Sequence, residues 1–257
     1  MIGIHDHERM TTSDAQLTVM PLHAVTEVYG EAGLRRRLDL ELGRLPPEGR
    51  TAVASAAGWA AHLHAGQRRT REPYVNHPLR VTLRMLVHYR VTDPDVLVAG
   101  LLHDVVEDQP WAVTGAERAG PPPVGEALAV IARRHDPRVA ALVAAVTTPP
   151  RPAGADRIRH YLDHLTASLA GDPWARVIKL SDFTDNGVGI IHSSGPIVAR
   201  SARKYDPAVP ILRAHLDRPD TPLAADVKDH IRGQLDLGRR RFAAILAACA
   251  RFPDCAV

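Results

Sequence analysis

Four Asp-Pro pairs, Asp93-Pro94, Asp136-Pro137, Asp172-Pro173 and Asp206-Pro207, punctuate the chain, and each is read as a helix start. An aspartate there accepts from exposed backbone N–H groups, and a proline at the first helical position lacks only an N–H that had no partner. Apolar residues follow at helical spacing: Val96, Leu97, Gly100, Leu101 and Val105 after the first pair, Val139, Leu142, Val143 and Val146 after the second. Further helices are expected at about 51–65, 78–89, 156–169, 173–184, 197–215 and 222–250. No comparable alternating strand pattern occurs, so the expected fold class is all-α.

Gly120-Pro121-Pro122-Pro123 and the segment Thr147 to Gly154 read as loops, because proline removes donors that a helix needs. Candidate site residues lie on both sides of them, so they interrupt one fold rather than divide two. The expected organisation is an N-terminal helical extension over 1–46, a core over 47–215, and a C-terminal helix over 216–257 packing on that core. Ile231, Leu235, Phe242, Ile245 and Leu246 give that last helix an apolar stripe to bury within the chain or in a homodimer. The run Arg35 to Glu41 is read as helical.

Composition narrows the function classes. No apolar run approaches the roughly 18 residues that span a bilayer, and Met1 to Ser13 reads as a polar tail with His5, Asp6, His7, Glu8 and Arg9 where a signal-peptide core would lie. Cys249 and Cys255 form no disulfide or ligand pattern, which suits a reducing cytoplasm. The 32 basic and 29 acidic residues alternate, so no footprint for nucleic acid is expected, whereas a small anionic ligand held by a few arginines is compatible. With fourteen histidines in the chain, a histidine alone says little; spacing has to carry the case. On that ground the pairs His62/His64 and His160/His164 are read as surface residues.

The strongest local signal is His103-Asp104 within Leu101-Leu102-His103-Asp104-Val105-Val106-Glu107-Asp108. Two ionisable residues amid Val and Leu are costly to bury unless something binds them, and a metal would do so. On a continuous helix, Glu107 and Asp108 would follow one turn later, placing four polar groups towards one edge. Asn76-His77-Pro78 puts another histidine at a helix start. Val177-Ile178-Lys179-Leu180-Ser181-Asp182 places a lone aspartate after an apolar run.

The order His, His-Asp, Asp resembles the ligand pattern of HD-superfamily phosphohydrolases, all-helical bundles. The flanks, Gln67-Arg68-Arg69-Thr70-Arg71-Glu72-Pro73-Tyr74-Val75-Asn76-His77-Pro78, the His103-Asp104 segment, and Val177 through Asn186, resemble the hydrolase domain of RelA/SpoT homologues and small alarmone hydrolases over roughly residues 50–210. That resemblance implies removal of the 3′-pyrophosphate from ppGpp with one divalent ion, Mn²⁺ first and Fe²⁺, Co²⁺ or Zn²⁺ as alternatives. It assigns His77, His103, Asp104 and Asp182 to the metal, Glu107 and Asp108 to the attacking water, and Asn186 to the active site. Arg68 and Arg69 match a basic pair that orients guanine, and Tyr205 matches a tyrosine that contacts sugar or phosphate. The bland alternatives are a solvated helix end for Glu107 and Asp108, a solvated loop for the arginines, and a core tyrosine.

The chain departs from that pattern beside Asp182. Phe183 and Val188 stand where the family has basic residues, and Asp185 is expected to add negative charge facing the substrate phosphates. A less charged phosphoester would then be preferred, unless Lys179, Arg200, Arg203 or Lys204 supplies the missing charge. The Gly/Ser-rich stretch Gly187 to Gly195 reads as a mobile loop beside the pocket or a plain connector. The expected function is therefore a nucleotide phosphohydrolase with ppGpp as its most specific substrate. The alternatives are a phosphatase for nucleoside monophosphates or specialised-metabolite phosphates, and a non-catalytic nucleotide-binding protein.

Overall fold

The structure is a computed structural model and describes residues 12–69 and 71–251. Cys255 and most of the stretch read as a polar tail lie outside the described residues; Thr12 and Ser13 open the first helix, α1 (Thr12–Val19). The other helices are α2 (Leu22–Leu42), α3 (Pro47–Leu63), α4 (Asn76–Val87), α5 (Pro94–Leu102), α6 (Val105–Asp108) and α7 (Pro110–Thr114). Then come α8 (Val124–Arg134), α9 (Pro137–Val146), α10 (Arg157–Gly171), α11 (Pro173–Asn186), a 3₁₀ turn over Val188–His192, α12 (Ile197–Tyr205), α13 (Ala208–Leu216) and α14 (Ala225–Arg251). Among the described residues the fold is all-helical, and the one isolated β-bridge pairs Arg68 with Pro73.

Three of the four Asp-Pro pairs cap as expected. Asp93 accepts from the N–H of Asp95, Asp136 from that of Arg138, and Asp172 from those of Trp174 and Ala175. Asp206-Pro207 behaves differently. The expected helix 197–215 is broken there into α12 and α13, and the Asp206 side chain does not cap α13. Proline removes one N–H and crowds the preceding turn, which suffices to part the two helices.

Three helices form the centre. Every residue of α4 from Asn76 to Leu86 is buried, as is every residue of α5 from Val96 to Leu102. The pair meets closely at Gly100, where an added Cβ would lie 2.2 Å from Met85 Cε. Against them packs α11, buried from Ala175 to Ser181 and joined on its other flanks by α9, α10, α13 and α14. The stripe of α14 faces inward, with Ile231, Leu235 and Phe242 fully buried and Ile245 and Leu246 packed against the same core. The Arg35–Glu41 run lies in α2 and packs against α4. Within it Arg37 and Glu41 are buried and paired at 2.6 Å.

Gly30 interrupts α2 with φ 60° and ψ −149°, a region open essentially to glycine alone, so two helical halves meet at a kink. The stretch read as a mobile loop or a plain connector carries the 3₁₀ turn over Val188–His192, where Val188 and Ile190 are buried against α11 and α14.

Arg176 illustrates how polar groups are satisfied in this core. Its guanidinium is 1% exposed and donates to the carbonyls of Leu169 (2.6 Å) and Ala170 (3.3 Å), which end α10, and to Asp220 (2.8 Å). Arg176→Met is expected to strand those carbonyls and lower stability by about 3 kcal/mol. Urea unfolding of variant and parent measures it; a loss under about 0.5 kcal/mol, the usual effect of a surface change, would contradict this account.

Candidate metal centre and its cleft

His77 sits in the first turn of α4, where Pro78 lacks only an N–H that would have had no helical partner. His103 and Asp104 follow directly on the end of α5, and Asp182 lies one turn from the end of α11. The expected unbroken helix through His103-Asp104 does not form. After Leu102 the chain leaves the helix for two residues, His103 Nδ1 pairs with the Gly100 carbonyl at 2.8 Å, and α6 begins at Val105. This break turns both side chains into the junction of α4, α5 and α11.

Both imidazoles are fully buried. His77 Nε2 lies 3.2 Å from Asp182 Oδ1 and 3.5 Å from Asp104 Oδ2; His103 Nε2 lies 3.1 Å from Asp104 Oδ2 and 3.8 Å from Asp182 Oδ1. Ligand-type atoms of His77, His103 and Asp182 all fall within 4.8 Å of one another. Neither Nε2 has a hydrogen-bond partner, although buried ring nitrogens ordinarily find one. With Nδ1 of each ring engaged elsewhere, each Nε2 faces the two carboxylates, an arrangement that asks for a cation there, whether proton or metal ion. Two imidazoles and two carboxylates therefore fit a borderline or harder divalent metal.

The electrostatics agree. Burial alone would lower the His103 pKa, but Asp104 and then Asp182 outweigh it and raise it to about 9. Burial works against both carboxylates as well. For Asp104 it is overcome chiefly by His103, and for Asp182 chiefly by Lys179, so each stays ionised below the usual carboxylate range.

A second set of residues holds the first. Tyr74 Oη donates to Asp104 Oδ2 at 2.7 Å, and Asn186 Nδ2 donates to Asp182 Oδ1 at 2.6 Å. Arg69 donates to Asn186 and lies over the Tyr74 ring. Asp108 accepts from Gln67 Nε2 at 2.8 Å, and Gln67 is itself fixed by His64 at 2.7 Å and Gln109 at 2.9 Å. Glu107, at the exposed rim, accepts from the Thr148 N–H. Enclosure by protein atoms pushes its carboxyl upward, with Lys179 opposing and Asp104 adding.

Alongside runs a cleft of about 820 Å³ between α2, the 68–73 loop, the end of α11, the 3₁₀ turn and α12. Arg68, Arg69, Asn186 and Tyr205 line it. The structure thus places Arg68 and Tyr205 along the cleft rather than against the His/Asp cluster. Tyr205 also packs edge-on to Phe183 at 5.6 Å, so it serves the core as well.

Several expectations are corrected here. Asp185 does not project charge at a substrate: its side chain is fully buried between Arg80 (2.9 Å), Arg84 (3.1 Å) and His77 (2.8 Å). Phe183 and Val188 are buried, so their apolar identity reflects packing. Lys179, 3.3 Å from Asp182, supplies a cation at the site. Lys204 lies over the Tyr161 and Tyr205 rings. His64, read as a surface residue, is 3% exposed and stacks on Tyr74; His62 is exposed as read. His160 and His164 are half-buried. Tyr74 and Gln67 were the site-adjacent residues hardest to single out, their only signal being membership of the segment before His77.

His23, from α2, stacks on His192 at 3.9 Å and approaches Asp185 at 3.6 Å. Burial lowers its pKa from 6.5 to about 4, against the pull of Asp185. The folded state therefore refuses a proton that the unfolded chain accepts, so this contribution is whole above pH 6.5 and is lost as pH falls towards 4. It amounts to about 3 kcal/mol. His23→Leu is expected to flatten that part of the stability curve, measured as urea midpoints at pH 7 and 4.5; an unchanged difference would refute the assignment.

An all-helical bundle closes two buried imidazoles and two aspartates beside an arginine-lined cleft, which defines a helical protein with a candidate histidine–aspartate metal centre. Residues 56–182 match the family described as HD domain. It is similar to guanosine-3′,5′-bis(diphosphate) 3′-pyrophosphohydrolase MESH1 of Drosophila melanogaster, 33% identical over 131 residues, 50% of this chain and 63% of that protein. It is 31% identical over 158 residues to the guanosine-3′,5′-bis(diphosphate) 3′-pyrophosphohydrolase of Aquifex aeolicus, 61% of this chain and 20% of that one. A solved structure described as a metazoan ortholog of SpoT that hydrolyzes ppGpp aligns with TM-score 0.47 and 23% identity, over 77% of this chain and 94% of that chain. The chain spans less than two thirds of the length of either of these two curated relatives. No described helix is long and apolar enough to cross a membrane.

Proposed function

We propose that this chain is a metal-dependent nucleotide phosphohydrolase and that its substrate is ppGpp, from which it removes the 3′-pyrophosphate. The observation that carries the reading is the convergence of two buried, unpartnered Nε2 atoms on Asp104 and Asp182. The named activity of the fly and bacterial relatives supports the substrate. So does Lys179, which lies 3.3 Å from Asp182 and supplies a cation that Phe183 and Val188 do not.

In this reading His77, His103, Asp104 and Asp182 hold one divalent ion, with Mn²⁺ preferred over Fe²⁺, Co²⁺ or Zn²⁺. Such an ion supplies Lewis acidity towards a phosphoryl oxygen and makes water a better nucleophile near neutral pH. Glu107 accepts the water proton on Oε2, since Oε1 is engaged by Thr148 N–H, and Asp108 orients the water. Asn186 and Tyr74 fix the two aspartates through one hydrogen bond each. Lys179 offsets negative charge that grows on the phosphoryl group beside Asp182 and Glu107. Arg68, Arg69 and Tyr205 line the cleft that takes the nucleoside.

The test incubates Mn²⁺-loaded protein with ppGpp, pppGpp, an adenosine 3′-pyrophosphate and 3′- and 5′-monophosphates, resolving products by anion exchange. Pyrophosphate released from ppGpp supports the proposal. Orthophosphate released from monophosphates alone overturns the substrate, and nucleotide binding without turnover overturns catalysis.

A further inference from the structure

A neutral imidazole presents a lone pair at Nε2 only when its proton sits on Nδ1, and the hydrogen bond made by Nδ1 sets which tautomer prevails. For His77 that bond runs to Asp185 Oδ2, 2.8 Å away, with both side chains fully buried. Asp185 is itself immobilised. Its Oδ1 accepts from Arg80 Nε at 2.9 Å and Arg84 Nη2 at 3.1 Å, and its Oδ2 accepts from Arg80 Nη2 at 3.0 Å. The remaining Arg80 donors are taken by Glu72, twice at 2.7 Å, and by Thr26 Oγ1 of α2 at 3.2 Å. Arg84 also donates to the Ser181 carbonyl at 3.1 Å. Two guanidiniums on α4 therefore clamp one carboxylate on α11, and that carboxylate holds the ring of His77.

Building on the metal-centre reading above, we propose that Asp185 is the positioning residue of His77: it fixes the Nδ1–H tautomer and aims Nε2 at the cation position. The clamp explains why a full negative charge is kept in the core next to a ligand. Two arginines balance Asp185 and Glu72, so the quartet carries no net charge, while the carboxylate makes the imidazole a stronger donor towards a metal. An amide or water could orient the ring but would not strengthen it in that way.

Long-range ¹H–¹⁵N spectra of the metal-free wild-type chain read the tautomer directly, and His77 is expected to carry its proton on Nδ1. Competition titration with Mn²⁺ and with Co²⁺ then reads affinity. Asp185→Ala is expected to bind either ion about 10–100-fold more weakly and to alter the Co²⁺ absorption spectrum, while Asp185→Asn, which keeps an acceptor oxygen, recovers part of the loss. Two results would overturn the proposal: a wild-type His77 protonated on Nε2, or an Asp185→Ala protein whose tautomer is unchanged and whose Mn²⁺ affinity lies within about twofold of wild type. If Asp185→Ala fails to fold, as circular dichroism would show, the wild-type tautomer and Asp185→Asn decide. A wild-type chain that binds neither ion would strike down the phosphohydrolase reading, and its His77 tautomer would still show whether Asp185 sets it.

Discussion

Asp182→Ala protein is expected to purify without stoichiometric divalent metal and to hydrolyse ppGpp at least ~10³-fold more slowly than the parent chain, the scale set by losing several kcal/mol of metal-derived transition-state stabilisation. The size of the effect follows from how many roles meet at one carboxylate. Asp182 faces His77 Nε2 at 3.2 Å, accepts from Asn186 at 2.6 Å, and neutralises Lys179 at 3.3 Å. Alanine removes a candidate ligand and leaves the buried Lys179 ammonium without its carboxylate partner, so the cluster favours a cation less on two counts. Elemental analysis and anion-exchange assays measure the two losses side by side. Activity within about tenfold of wild type, in protein that still melts cooperatively, would show that Asp182 is not a ligand.

Glu107→Gln is expected to separate binding from chemistry. The variant should retain its metal and lower kcat by about 10²–10⁴-fold, the range associated with a positioned general base. Glutamine preserves the Thr148 contact, because its amide oxygen still accepts from that N–H, and it removes only the ability to take a proton. A kcat within about threefold of wild type would return Glu107 to the rank of a solvated helix end. Asp108→Asn is expected to lower kcat less, because Asp108 is read as orienting the water and the amide oxygen of asparagine still accepts from Gln67.

What could be read before the structure was what short segments determine. Asp93, Asp136 and Asp172 cap helices because both partners lie within three residues, and His77, His103-Asp104 and Asp182 could be picked out because each motif is local. Other features needed the third dimension. Leu101 to Asp108 has the pattern of one continuous helix, and nothing in it announces the two-residue break at which the Gly100 carbonyl takes the His103 Nδ1 bond. His64 looked like one of many surface histidines, because its burial depends on Tyr74, ten residues on, folding back over it. Asp185 looked like an uncompensated charge because its arginines lie about a hundred positions earlier in the chain. Gly30 gave no sign that its φ would be positive, since glycine tolerates helical conformations as well.

The four candidate ligands come from two helices and the break that follows a third, and are separated by most of the central chain, with α4, α5 and α11 each buried against the others. No fragment that lacks one of these helices assembles the set, so an unfolded or half-folded chain offers an ion only scattered single ligands. Ion occupancy and native topology are then thermodynamically linked: whatever binds the assembled centre must pull the folding equilibrium with it, in proportion to the logarithm of its free concentration above the dissociation constant. Metal supply in the surrounding medium thereby becomes a determinant of how long each molecule persists intact, apart from any turnover.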